Sequence, residues 1–326
     1  MTEPLAIQRI LFLQKPEVLS EQREWVQERI GAACPDASVF FAGAASDVTA
    51  GEAFDCVISP TLAWLPDALA RLDSWRWIHF LSAGVEKIWA MDFPKERAVL
   101  TKSSGVHGAP MSEYALGAML YFAKQFDRFS EQARAARWER AWLDELTGRT
   151  VMILGMGHVG SMVAQRARAF DMRVIGVQRN PQPVQGVDAV VGMDDIERHL
   201  HAVDYLVVCL PLTEATRHMV DGAFLDQLKA NAVVIDMSRG GVVAEQGVLD
   251  ALDRGHLRGA ALDVFEEQPL PERSSLWCRP NVLVTPHVSG TSPHYMERAL
   301  DVFAKNARRL QAGKPPLTPV DLRAGY

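Results

Sequence analysis

Three polar side chains close strand-like apolar runs in the C-terminal half of the chain. They are Arg239 in "DMSRGGVV", Gln268 in "ALDVFEEQP" and His287 in "VTPHVSG". A guanidinium grips a carboxylate through two parallel hydrogen bonds. An imidazole gives or takes a proton near neutral pH. A glutamine amide can orient that imidazole by bonding to its other ring nitrogen. An anchor for a carboxylate combined with a proton donor suits chemistry at a neighbouring carbonyl. Upstream, Gly155, Gly157 and Gly160 form GxGxxG between the apolar run "TVMIL" and the helical pattern "SMVAQRARAF". The first glycine permits a tight turn, the second lets a pyrophosphate approach the backbone, and the third lets helix and strand pack closely. The helix start, with His158 and Val159, supplies amide donors and a favourable dipole. The set points to hydride transfer between a nicotinamide cofactor and a 2-keto or 2-hydroxy acid.

The choice of cofactor rests on the end of the following strand. An acidic side chain there would hold the adenine ribose hydroxyls, as NAD binders require. This chain carries Gln178, Arg179 and Asn180 instead. No carboxylate repels a 2′-phosphate, and Arg179 can pair with one. NADP is therefore the expected cofactor, with NAD possible.

The elements that must hold these residues follow from the alternation of apolar runs and helical patterns. "RILFLQ", "SVFFAG", "DCVISP", "WIHFL" and "RAVLTKS" read as strands of a first α/β layer. From Thr150 the pattern restarts, with six strand candidates separated by helices: "TVMILGMG", "MRVIGVQRN", "YLVVCLPL", "AVVIDMS", "RGAALDVF" and "NVLVTPH". The expected fold is α/β with two Rossmann-like domains. Residues 104–290 form a doubly wound dinucleotide-binding domain. Residues 1–103 and 291–326 form a discontinuous, flavodoxin-like substrate domain, which the last helical stretch, "SPHYMERALDVFAKNARRLQAG", completes. Between the domains, "APMSEYALGAMLYFAKQFDRF" reads as a helix, and "SEQARAARWERAW" as a second helix carrying Trp138 and Trp142 on a charged surface. Tryptophans on such a surface mark either an interface or burial against the parent domain.

At 326 residues with 48% hydrophobic and 23% charged residues, the composition is that of a soluble globular protein of two domains. A net charge of -6 offers no basic face for nucleic acid or anionic lipid. Four dispersed cysteines form no CxxC pair, which argues against a zinc site and suits a reducing compartment. No apolar stretch reaches the length of a membrane span and no secretory signal is evident, so a cytoplasmic location is expected. The other histidines, His107, His199 and His201 among them, lack metal-ligand spacing.

From about residue 77 to 305 the chain resembles the D-isomer-specific 2-hydroxyacid dehydrogenase family, which includes glyoxylate/hydroxypyruvate reductases and phosphoglycerate dehydrogenase. The landmarks are "LSAGVE", "SSGVHGAPMSEYALG", "GMGHVG", "LPLTEATRHM", "IDMSRGGVV", "GAALDVFEEQPLP" and "VTPHVSG". The resemblance implies that Arg239 binds the substrate carboxylate and that His287 protonates the carbonyl oxygen in reduction. It implies a second hold on the carboxylate from the backbone amides of Ala83, Gly84 and Val85. Asp263 resembles the residue that holds the nicotinamide carboxamide. Leu210, Pro211 and Thr216 lie where the family contacts the adenosine and phosphate portion, and Met237 and Ser238 join the cofactor-binding set beside Arg239. The Trp138–Trp142 region resembles the family's dimer arm, which implies a homodimer.

One position departs from the family. It usually places Glu directly before Pro269, paired with the catalytic His, and here that residue is Gln268, with Glu266 and Glu267 just upstream. A carboxylate favours imidazolium by charge, whereas an amide can only orient the ring, and either Gln268 or Glu267 is the partner of His287. A Gln–His pair also resembles the formate dehydrogenase branch, where no carbonyl needs a proton. The reading drawn from the whole chain is an NADPH-preferring reductase of small 2-keto acids such as glyoxylate or hydroxypyruvate, with substrate bound in a cleft between the domains. The alternatives are formate-dehydrogenase-like hydride transfer and a non-catalytic, dinucleotide-sensing binding protein.

Overall fold

The five apolar runs of the N-terminal region become one parallel sheet. The computed structural model describes residues 3–322. The strands are β1 (Arg9–Leu13), β2 (Ser38–Ala42), β3 (Ala53–Ser59), β4 (Ser74–Phe80) and β5 (Val99–Lys102), in the order β2-β1-β3-β4-β5. Every neighbouring pair is parallel. This is the flavodoxin-like order, in which ligands gather beyond the carboxyl ends of the strands. Helices α1 (Pro16–Ala33) and α2 (Leu65–Ala70) connect them.

The second unit begins with α3 (Gly108–Ala123) and α4 (Phe126–Arg134). Its sheet contains β6 (Thr150–Leu154), β7 (Arg173–Val177), β8 (Ala189–Val191), β9 (Tyr205–Val208), β10 (Ala232–Asp236), β11 (Leu257–Leu262) and β12 (Val282–Val284). The order is β12-β11-β10-β9-β6-β7-β8, a doubly wound sheet whose strand order reverses at β6 and β9. Helices α5 (His158–Ala169), α6 (Glu197–Leu200), α7 (Gly222–Asp226) and α8 (Glu245–Asp253) provide crossovers. Strands β6, β9 and β10 are buried at every residue, as strands covered on both faces must be.

The chain then returns as α9 (Tyr295–Gln311), which packs on the first sheet. Phe303 stacks on Trp77 with centroids 5.1 Å apart and planes 8° from parallel. Such a pair adds about 0.5–1.5 kcal/mol beyond its buried area. Tyr295 donates to the Leu81 carbonyl at 2.6 Å. The two compact units comprise residues up to Val106 with those from Ser292 onward, and His107–Thr291. These crossings differ slightly from the 103/104 and 290/291 junctions inferred from sequence.

Two sequence expectations need correction. The strand β8 was not anticipated, because "AVV" is only three residues long and half-buried at the sheet edge. The helix expected to carry Trp138 and Trp142 stops at Arg134. Ala136 adopts a left-handed φ of 50°, and its N–H turns back to the Ala133 carbonyl. That conformation ends a helix whatever the propensity of the residue. Both tryptophans lie beyond it in a non-helical segment, 96% and 97% exposed.

Candidate active site

The glycine-rich turn leaves β6 at its carboxyl end. Gly155 has φ 98°, a left-handed conformation that disfavours any side chain, and its N–H donates to the Val177 carbonyl. A Cβ on Gly160 would stand 2.0 Å from the Gly155 carbonyl oxygen, so α5 can approach the turn only without one. At Gly157, the N-cap of α5, a Cβ would meet nothing within 4 Å. Open space therefore faces the amides of His158 and Val159 at the first turn of a twelve-residue helix. Anions are stabilised in such a position. His158 is exposed at the helix start.

Gln178, Arg179 and Asn180 follow β7 directly. Gln178 is partly engaged, with its N–H on the Val191 carbonyl and its side-chain oxygen accepting from Gln182 N at 3.1 Å. Arg179 and Asn180 are exposed. The segment after β9 is closed on itself by Thr216, whose hydroxyl donates to the Pro211 carbonyl at 2.7 Å and accepts from Thr213 N at 2.8 Å. Leu210 packs against the core under β9, leaving Pro211 exposed. Cys209 is enclosed enough that burial pushes its thiol up to about 12, so it behaves as a small apolar residue.

Three adjacent strands deliver the candidate site residues. Strand β10 runs into Met237, Ser238 and Arg239, and Met237 is buried. Strand β11 ends at Asp263 and leads to Gln268, and β12 leads to His287. The His287 Nδ1–H donates to Gln268 Oε1 at 3.0 Å. An amide oxygen cannot donate, so Nδ1 keeps its hydrogen and Nε2 is the nitrogen available for proton transfer. Both residues are exposed, and the Gln268–Pro269 peptide is cis. Arg239 is half-buried and its Nη1 donates to the Ser238 carbonyl at 2.9 Å.

His287 has a left-handed φ of 55°, rare for a residue with a side chain. Asp263 holds it there. Its Oδ1 accepts from Thr285 Oγ1 at 2.6 Å and Val288 N at 2.8 Å, and its Oδ2 from Ser289 N at 2.9 Å. The His287 N–H reaches the Asp263 carbonyl at 2.9 Å. Tyr114 completes the array, donating to Thr285 Oγ1 at 2.8 Å. Burial pushes the Tyr114 phenol up to about 12, so it keeps its proton. Tyr114 and Thr285 were not anticipated. The only sequence signal was the presence of hydroxyl residues beside the two landmarks "SEYALG" and "VTPHVSG".

Ala83, Gly84 and Val85 belong to the other unit, directly after β4. A buried hydrogen-bond series fixes the chain just before them. Trp77 Nε1 donates to Thr101 Oγ1 at 2.8 Å, and Thr101 bonds His79 Nδ1 at 2.7 Å. His79 Nε2 bonds Ser103 Oγ at 3.1 Å, and Ser103 donates to the Phe80 carbonyl at 3.0 Å. Burial drives His79 down to about 3, so the ring is neutral. Because Ser103 gives its proton to Phe80, the ring hydrogen sits on Nε2 and Thr101 donates to Nδ1.

Among the described residues no group of three or more His, Cys, Asp or Glu side chains could hold a metal ion. No described helix is long and apolar enough to cross a membrane.

The family model for the NAD binding domain of D-isomer specific 2-hydroxyacid dehydrogenases matches residues 116–289. Glyoxylate/hydroxypyruvate reductase A of Photorhabdus laumondii is 31% identical over 274 residues, covering 81% of this chain and 87% of that protein. A D-isomer specific 2-hydroxyacid dehydrogenase family protein of Aeromonas salmonicida superposes with a TM-score of 0.84 at 30% identity, covering 96% of this chain and 99% of that one. The NADPH-dependent glyoxylate/hydroxypyruvate reductase of Sinorhizobium meliloti, solved with NADP and sulfate, gives a TM-score of 0.81 at 28% identity, covering 98% and 100%. The chain belongs to the D-isomer specific 2-hydroxyacid dehydrogenase family.

Proposed function

We propose that this protein reduces small 2-keto acids of the glyoxylate or hydroxypyruvate kind to D-2-hydroxy acids, with NADPH preferred over NADH, as a cytoplasmic homodimer. The observation that carries the reading is the delivery of Arg239, Asp263 and His287 from three neighbouring strand ends, with His287 oriented by Gln268. Arg239 holds the substrate carboxylate and draws electron density from the carbonyl. His287 gives a proton from Nε2 to the carbonyl oxygen. The dinucleotide, when bound, supplies the hydride. Gly155, Gly157, His158, Val159 and Gly160 would hold its pyrophosphate, Leu210, Pro211 and Thr216 its adenosine side, and Met237, Ser238 and Asp263 its nicotinamide end.

The NADP preference rests on Gln178-Arg179-Asn180 in place of an acid, and the Sinorhizobium meliloti relative solved with NADP supports it. Dimerisation rests on Trp138 and Trp142, nearly fully exposed beside a groove of about 420 Å³ lined by Phe129, Ala133 and Trp138. Tryptophan is the residue type most enriched among interface anchors. The Gln268–His287 pair favours one second reading, formate oxidation. Absorbance at 340 nm separates the two. NADPH consumption with glyoxylate or hydroxypyruvate supports the first. Reduction of NADP or NAD with formate, and no keto-acid activity, supports the second.

A further inference from the structure

Asp236 ends β10, a strand whose other residues are all apolar, and it is 2% exposed. A buried carboxyl is costly unless its hydrogen bonds are met. Here both donors come from Ser238, whose N–H reaches Asp236 Oδ1 at 3.0 Å and whose hydroxyl reaches the same oxygen at 2.5 Å. Ser238 in turn touches Arg239 twice. Its carbonyl accepts from Arg239 Nη1 at 2.9 Å, and its hydroxyl oxygen lies 3.3 Å from the Arg239 carbonyl oxygen. The turn that launches Arg239 is thus hooked back onto the strand by one carboxyl oxygen. On the next strand, Asp263 fixes the His287 turn in the same manner, and its N–H donates to the Asp236 carbonyl at 3.0 Å.

The titratable groups acting on or felt by Asp236 are Asp263, Glu245, Cys209 and Tyr114, and the guanidinium of Arg239 lies three residues on. Burial raises the carboxyl to about 7, with repulsion from Asp263 and Glu245, while both Ser238 bonds pull it down. The bonds to Ser238 therefore favour the ionised form, and by linkage ionisation tightens the turn. Nothing in the sheet calls for an acid at this position, since an apolar residue would continue β10 without the desolvation cost.

We propose that Asp236 is a positioning residue for Arg239, holding the Met237–Arg239 turn through Ser238 so that the guanidinium is ready for the substrate carboxylate. The inference rests on Arg239 holding that carboxylate.

The test uses the NADPH-loaded enzyme and the variants Asp236→Ala, Asp236→Asn, Arg239→Ala and the Asp236→Ala/Arg239→Ala pair. The readouts are KM and kcat with glyoxylate, the affinity of the NADPH complex for the unreactive analogue oxamate, and NADPH affinity by fluorescence. Asp236→Ala should raise KM and weaken oxamate by about tenfold, the scale of one lost charged hydrogen bond. NADPH affinity should fall less than oxamate affinity, since the proposed pyrophosphate and adenosine contacts lie away from the turn and only the nicotinamide end meets Met237 and Ser238. Asp236→Asn keeps an oxygen acceptor for both Ser238 donors and should stay within about threefold of wild type. The pair should be no worse than Arg239→Ala, because residues acting through one another are not additive. The proposal is overturned if Asp236→Ala binds oxamate like wild type, if Asp236→Asn is as impaired as Asp236→Ala, or if the two losses add. Wild-type oxamate binding by Arg239→Ala would instead sink the underlying reading of Arg239. Should Asp236→Ala not fold, Ser238→Ala removes one of the two donors while leaving the acid. A several-fold loss of oxamate affinity that exceeds any loss of NADPH affinity supports the proposal, and unaltered oxamate binding overturns it.

Discussion

The imidazole of His287 gives its Nδ1 hydrogen to the side-chain oxygen of Gln268 at 3.0 Å, a neutral partner where the family usually supplies a carboxylate. Gln268→Glu would put a negative charge against the ring and favour imidazolium. Keto-acid reduction needs that protonated form. The alkaline limb of its pH–rate profile should therefore move upward, by on the order of one pH unit. Glu267→Gln should leave the limb in place, since Glu267 is exposed and Gln268 already occupies the ring nitrogen. A limb that follows Glu267 and ignores Gln268 would contradict this pairing.

Arg239→Ala and His287→Ala should each lower kcat/KM for the keto acid by about 10²–10⁴-fold. Calorimetric NADPH affinity should remain near wild type in both. Turnover within a few-fold of wild type in either variant would remove that residue from the reaction.

Arg179→Ala should reduce kcat/KM for NADPH by about tenfold or more and leave NADH much less affected. The decisive quantity is the ratio of the two specificity constants. A wild-type ratio favouring NADH would reject the assignment of the Gln178–Asn180 segment.

Replacing Trp138 and Trp142 together by Ala should weaken self-association by at least about 30-fold, the cost of removing a typical interface anchor. Light scattering at micromolar concentration should report a dimer for the wild type and a mixture with monomer for the variant. A monomeric wild type would end the homodimer reading.

Asp236→Asn should stabilise the fold at alkaline pH. The wild-type carboxyl is raised to about 7 in the folded protein, mainly by burial. An acid raised in this way contributes most below its unfolded value of about 4, and that contribution is lost as pH rises through about 7. The amide pays no such cost. Melting temperatures of wild type and variant should converge near pH 4 and separate up to pH 8, by the equivalent of a few kcal/mol at most. A gap that is constant with pH would mean that Asp236 does not titrate in this range.

Much of this architecture was legible because its strands are buried on both faces. "TVMIL", "YLVV" and "AVVID" are continuous apolar runs, and each became a fully buried strand. The arm was misread because Ala135 and Ala136 are good helix formers and nothing local reveals that Ala136 turns left-handed. The polar support of the site was hidden for another reason. Thr285 and Tyr114 act through partners far away in sequence, Thr285 on Asp263 22 positions before it and Tyr114 on Thr285 171 positions after it. Sequence spacing reports which face a residue takes on its own element, and it carries no record of such distant pairings.

The return of α9 to the first sheet also sets an order of events during synthesis. Trp77 and Tyr295's acceptor Leu81 are made early, but Phe303 and Tyr295 themselves are made only after His107–Thr291. At about 5–20 residues per second, the first sheet waits roughly 10–40 s for its covering helix. The dinucleotide-binding unit is meanwhile complete in sequence and free to fold. Over that interval the nascent chain displays the apolar seat of α9, including Ile10, Phe12 and Trp77, and this is the surface that a ribosome-associated chaperone would meet.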